Sequence, residues 1–209
     1  MPAEPSLQVE TEMFASGAKL IIGIDEVGRG AMAGPVMVGV CAISPSVTEF
    51  PTGLRDSKLV SEKKRTALFP EVQAWAPTAV GEASALEIDE MGITACLGLA
   101  AKRALALLHH GGVSVGEATV LLDGSHDWLN PALSSKLSVV TRVKADQDCA
   151  VVSAASIVAK VTRDELMLSL DREHPEYGWA SNKGYGAALH MQAIKTSGLT
   201  PYHRANWVK

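Results

Sequence analysis

Four acids stand at or just beyond the ends of apolar runs. Asp25 and Glu26 follow residues 19–24, Asp123 follows 118–122, and Asp146 follows 137–143. Ligands gathered outside the strand ends of a sheet are the usual geometry of a site in an α/β protein. Carboxylates brought that close repel one another unless a cation neutralises them. Hard oxygen donors without a His/Cys cluster point to Mg²⁺ or Mn²⁺ and away from zinc. Each acid also has a plainer reading. Asp25-Glu26 ahead of Gly28, and Asp123-Gly124, are turn chemistry, while Asp146 or Asp148 can cap the helix that follows. Placement alone therefore reaches a candidate metal site and stops there. It also carries a condition. Neighbours on a strand point to opposite faces, so Asp25 and Glu26 share one site only if the strand ends or twists at Glu26. Gly28 and Gly30, both tolerant of positive φ, make such a break easy.

Gly28-Arg29-Gly30 lets backbone approach a ligand closely, with N–H and C=O groups free to bond a sugar hydroxyl or a phosphate. A tight turn between two strands accounts for it equally. No Walker loop follows, because residues 30–35 lack Gly-Lys-Ser/Thr. The basic residues Arg55, Lys58, Lys144, Lys160, Arg163, Lys183 and Arg204 lie near the acids or in later motifs. Ser153, Ser156 and Lys160 fall on one helical face and can meet phosphates, whereas Arg163 reads as part of a solvated face. Tyr185, between Gly184 and Gly186, is placed to stack on a sugar or base, or to pack in the core. His203 is a proton carrier or a polar tail residue, and the other five histidines have no partner legible in sequence. No Ser-His or Cys-His nucleophile pair is evident.

These residues need elements to hold them. Residues 19–24 form a central strand, 36–43 return antiparallel, and 78–85, 118–122 and 137–143 supply further strands. Residues 93–110 form a helix stopped by Gly111-Gly112, 148–170 a second long helix, and 184–197 a shorter one before a polar tail. The expectation is an α/β fold: one domain over 1–209, a mixed central sheet flanked by helices, a helical C-terminal region, and a loose or short helical lead-in at 1–17. The 209 residues are 47% hydrophobic and 20% charged, enough for a real core and against disorder. No apolar run nears the roughly 20 residues that span a bilayer, so no membrane association is expected. A net charge of −4 tells against a general nucleic-acid coat but not against an enzyme with clustered acids. Cys41, Cys96 and Cys149 read as buried free thiols in a reducing compartment, and the acidic N-terminus lacks an export signal, so a cytoplasmic protein is expected. No surplus amphipathic helix asks for a partner, so a monomer is expected.

The run Gly23-Ile-Asp25-Glu26-Val-Gly28-Arg29-Gly30 with Gly34-Pro35-Val36 closely resembles the opening of ribonuclease HII. Asp56-Ser57-Lys58, Leu122-Asp123-Gly124, Lys144-Ala145-Asp146, the helix bearing Ser153, Ser156, Lys160 and Arg163-Asp164, Asn182-Lys183-Gly184-Tyr185-Gly186 and His203-Arg204 follow in that family's order, over about residues 19–207. The sequence departs at Asn206-Trp207, where Ser-Phe is usual, and at Ala187, where Thr is common. The resemblance implies an RNase H-like fold and a metal-dependent endonuclease. Such an enzyme cuts the RNA strand of RNA–DNA hybrids and nicks duplex DNA 5′ to an embedded ribonucleotide, leaving 5′-phosphate and 3′-hydroxyl ends. It implies two Mg²⁺ or Mn²⁺ ions on Asp25, Glu26, Asp123 and Asp146. It further implies 2′-hydroxyl contacts from Gly28, Arg29 and Gly30, packing of Tyr185 on the sugar, and substrate contacts from Lys58 and Lys160. The competing expectations are a resolvase- or transposase-type DNA nuclease on the same fold, a non-catalytic hybrid-binding module, and a Rossmann-type enzyme, which lacks its glycine spacing.

Overall fold

The computed structural model describes residues 4–208. Its strands are β1 (Ile21–Val27), β2 (Val36–Ile43), β3 (Thr78–Ala83), β4 (Thr119–Asp123) and β5 (Ser138–Arg142), in the order β3-β2-β1-β4-β5. The β1–β2 and β2–β3 pairs are antiparallel, and β1–β4 and β4–β5 are parallel. The helices are α1 (Gln8–Ala15), α2 (Glu62–Trp75), α3 (Ala85–Met91), α4 (Ile93–His110), α5 (Ala145–Asp148), α6 (Ala150–Glu173), α7 (Trp179–Asn182) and α8 (Ala188–Ser197).

Alternation along the central strands divides the core in two. Ile22, Ile24, Val38 and Val40 pack with Leu97, Ala101 and Leu105 of α4. Ile21, Cys41 and Leu121 pack on the other side with Val151, Val152 and Val158 of α6. Helix α6 lies almost on the sheet at Gly23, where a Cβ would stand 2.6 Å from the Val151 backbone. Such contact with both layers explains the near-continuous apolar runs of β1 and β2. A third cluster, including Met167, Tyr177, Trp179 and Ile194, forms the helical C-terminal region. All three cysteines are buried and free. No described helix is long and apolar enough to cross a membrane.

Several expectations change. Strand β1 does not end at Glu26. Its ladder with β2 continues through Asp25↔Gly39, Glu26↔Val38 and Val27↔Met37, while its ladder with β4 stops at Ile24. The hairpin partner keeps the strand extended, so the break occurs on one edge only. The residues after β5 form two helices, because Cys149 is extended (φ −112°, ψ 124°) between α5 and α6. Cys149 holds the N-cap position of α6, so neither Asp146 nor Asp148 caps it; Asp148 instead accepts from Arg142 at 2.8 Å. Helices α2 and α3 had no expectation at all, although α3 opens with a full Ser84/Glu87 capping box.

Candidate active site

Asp25 lies on the face of β1 that carries Ile21 and Gly23, which is the α6 face. Asp123, last in β4, shares that face with Leu121. Asp146 arrives from α5, aimed by Lys144, which turns the chain out of β5 in the left-handed region (φ 62°). These three elements bring ligand oxygens of Asp25, Asp123 and Asp146 within 4.8 Å of one another. The Asp146 N–H donates to Asp123 Oδ1 at 3.4 Å, and Ser153 Oγ donates to the Asp146 carbonyl at 2.7 Å. Glu26 is on the other face, half-buried, with Arg29 donating to its carboxylate at 3.4 Å. It stands outside the group of three.

The cluster is short of positive charge. Burial pushes the Asp25 carboxyl well above its ordinary range, and the neighbouring Glu26 and Asp146 charges add to this. Asp123 is raised by burial and then by Asp146. Among the described residues, the cation paired with it is the Lys58 ammonium, 3.2 Å from Asp146 and 3.9 Å from Asp56. Burial opposes its charge, yet Asp25, Asp56 and Asp146 together hold its pKa above the usual lysine value. Its turn is fixed to α6 by Ser57 and Ser156, whose hydroxyls are 2.8 Å apart. Three converging carboxylates, two of them buried, with one flexible ammonium among them, suit a hard divalent cation.

Beyond Val27 the chain enters the Gly28-Arg29-Gly30 loop. Gly28 takes φ +79°, and a Cβ there would strike the Arg163 guanidinium. Gly30, expected to tolerate positive φ, does not use it, and nothing lies within 4 Å of where its Cβ would be. Arg163 is fully buried, contrary to the solvated face expected. It donates to Pro35 O at 2.9 Å, Lys183 O at 2.9 Å and Ala33 O at 3.0 Å. Arg204, equally buried, donates to Arg29 O at 2.9 Å, Gly28 O at 2.6 Å and Gly34 O at 3.1 Å. Tyr185 is 39% exposed, so core packing does not explain it, and the Arg163 guanidinium lies 5.7 Å from its ring centroid.

The proposed phosphate-meeting stripe does not survive as a unit. Ser153 and Ser156 are buried beneath the acids, and Lys160 donates to Asp164 at 2.6 Å. Their face of α6 points inward because the helix crosses the sheet. His203 is also buried and is no tail residue. The loop-holding roles of Arg163 and Arg204 were invisible in sequence, since their partners are backbone carbonyls, which carry no residue identity.

The Ribonuclease HII family profile matches residues 22–209. A ribonuclease HII of Streptomyces avermitilis is 47% identical over 210 residues, covering 99% of this chain and 85% of that protein. Among solved structures, the ribonuclease H2 of Pyrococcus horikoshii OT3 superposes with a TM-score of 0.69 at 26% identity, over 90% of this chain and 93% of its own. The Bst ribonuclease HIII, solved in complex with Mn²⁺, shares the fold with a TM-score of 0.71 at 23% identity, over 91% of this chain and 68% of its own. Together with the acids, the glycine loop and the exposed tyrosine in one corner of the sheet, the match over nearly the whole chain makes this protein a member of the ribonuclease HII family.

Proposed function

We propose that Asp25, Glu26, Asp123 and Asp146 are the working acids with which this ribonuclease H cuts the RNA strand of RNA–DNA hybrids and nicks duplex DNA 5′ to a single ribonucleotide. The observation that carries this reading is the convergence of Asp25, Asp123 and Asp146 within 4.8 Å, with Asp25 just ahead of a glycine loop whose Arg29 and Gly30 are exposed. Two divalent cations, Mg²⁺ or Mn²⁺, would supply the positive charge that makes a water nucleophilic and stabilises the departing 3′-oxygen. Asp25, Asp123 and Asp146 would hold them from the α6 face, and Glu26 would reach around the open edge beyond Ile24, releasing Arg29. Hydrolysis forms a bond from water oxygen to phosphorus and breaks the bond to the 3′-oxygen, leaving 5′-phosphate and 3′-hydroxyl ends.

The remaining residues orient the substrate. Backbone groups of Gly28, Arg29 and Gly30 bond the 2′-hydroxyl, which is what distinguishes ribose from deoxyribose. Tyr185 packs on the sugar. Lys58 and Lys160 meet phosphates once they leave Asp146 and Asp164. The protein acts as a monomer, a state that sedimentation at 22.0 kDa would report. The test is cleavage of a duplex holding one ribonucleotide, beside an all-DNA control, with Mg²⁺ or EDTA. A single nick 5′ to the ribonucleotide, lost in EDTA and in Asp123→Asn, is expected; equal cutting of all-DNA would defeat the reading.

A further inference from the structure

We infer that His203 and Arg204 are positioning residues that fix the Gly28-Arg29-Gly30 loop and Tyr185 relative to each other, and so set the preference for ribose. The inference rests on the ribose contacts proposed above.

The C-terminal segment reaches this corner through an isolated antiparallel bridge, Ala33↔His203. Gly34 N–H donates to Tyr202 O, and Arg204 N–H donates to Met32 O, each at 2.8 Å. On the other side of the same stretch, Met32 and Ala33 N–H groups donate to Gly184 O at 2.8 and 3.1 Å. Residues 32–34 are thus held between the C-terminal segment and the turn that bears Tyr185.

Arg204 orients the loop. It draws the carbonyls of Gly28 and Arg29 inward. A trans peptide is planar, with N–H opposed to C=O, so the N–H groups of Arg29 and Gly30 are turned the other way. Neither donates to a protein acceptor among the described residues. They are two adjacent outward donors on an exposed loop. Burial and then the neighbouring Arg163 lower the Arg204 pKa to about 10, which leaves it charged at neutral pH. Its charge therefore stays on the carbonyls.

His203 reaches Tyr185 through His190, and the partners dictate every proton. His203 Nδ1 receives the Thr200 N–H at 2.9 Å, so it is bare and Nε2 carries the proton. His190 Nε2 receives the Trp179 indole N–H at 3.1 Å and faces His203 Nε2 at 3.1 Å, so it accepts from both. His190 Nδ1 must then carry the proton it donates to Tyr185 O at 2.9 Å. The two rings are neutral and of opposite tautomer, and the chain of bonds has one direction, from Thr200 to the Tyr185 carbonyl.

The experiment uses the full chain carrying Asp123→Asn, which retains substrate. Dissociation constants are measured for a duplex with one ribonucleotide and for the all-DNA duplex. In the parent the ribonucleotide duplex binds more tightly; if it does not, the proposed ribose contacts fail and not the brace. Arg204→Lys keeps the charge, but one ammonium cannot reproduce the guanidinium fork. The ratio of the two constants is expected to fall by about tenfold, with all-DNA binding unchanged and faster amide exchange at Ala31, whose N–H donates to the Gly28 carbonyl that Arg204 holds. His190→Leu should lower the ratio, and His190→Asn, whose amide can still donate to Tyr185 O, should restore it. An unchanged ratio in folded Arg204→Lys overturns the Arg204 arm. If Arg204→Lys does not fold, the His190 pair decides: equal ratios in Leu and Asn variants overturn the brace.

Discussion

Near the ends of β1 and β4, two buried carboxylates and a half-buried one crowd together, and among the described residues the exposed Lys58 is the cation paired with them. In the adjoining corner Arg163 and Arg204 are fully buried with no carboxylate ion-pair partner among the described residues, their guanidiniums held by backbone carbonyls. The two regions handle buried charge oppositely. The acids outnumber the ammonium beside them, which is the condition for taking up a cation. Every guanidinium nitrogen has a backbone carbonyl partner, which makes both arginines rigid struts. A site of this kind needs both, because affinity for a cation comes from frustration and discrimination between sugars comes from fixed geometry.

The largest effect should come from removing an acid. Asp25→Asn is expected to lower cleavage by at least about 10³-fold. The same change should raise the unfolding midpoint in EDTA, because burial already disfavours that charge. With Mn²⁺ the order reverses, the wild type gaining stability and the variant little. Cleavage near the wild-type rate would remove Asp25 from the reaction.

Arg163→Met tests the struts. It strands the carbonyls of Ala33, Pro35 and Lys183, and an expected loss of about 4 kcal/mol follows from partly additive costs of unpaired buried groups. Urea unfolding measures it, and a loss below about 1 kcal/mol would show that the corner relaxes easily.

The histidine pair gives a pH test. Burial, followed by the charge of His190, lowers the His203 pKa from 6.5 to about 4. The unfolded chain then binds more protons within that window, so the contribution is complete above pH 6.5 and is lost as the pH falls to about 4. Its ceiling is about 3 kcal/mol. His190, also lowered by burial, acts with the same sign; His174 adds a smaller lowering, and the Tyr177 ring, 4.8 Å from His203, has a pKa raised by burial and stays neutral over this range. Carboxylates titrate in the same range, so the measure is the difference in urea midpoint between wild type and His203→Gln from pH 4 to 7. Parallel curves would mean that His203 is not held neutral.

Gly30→Ala should have the smallest effect on the fold. Its Cβ meets nothing and its φ is ordinary, so stability should stay within about 0.5 kcal/mol. Preference for a ribonucleotide duplex should fall by about threefold as the methyl keeps the sugar away. An unchanged preference would place the sugar contact elsewhere in the loop.

Much of this was legible because burial leaves a pattern. The runs at 36–43 and 93–110 matched their elements to the residue, since two-sided burial and Ala/Leu periodicity are local signals. Helix α2 was missed because its outer face is charged and Pro70 sits within it. The motif residues were legible as types: Asp25, Asp123 and Asp146 meet as their placement suggested. Arg163 was misread because helical spacing tells which residues share a face and not which way that face turns.

What the sequence determined by itself is the supply of groups: acids at strand ends, paired glycines, a flanked tyrosine and the order that marks the family. Those depend on local chemistry and alternation, which a chain carries wherever it folds. The tertiary structure decided which groups meet. It put Asp25 and Glu26 on opposite faces of an unbroken strand, turned Ser153 and Ser156 inward, and set Arg204 against carbonyls more than 170 residues away. Backbone carbonyls are identical in every residue, so only the packing of distant segments could say which of them an arginine would hold.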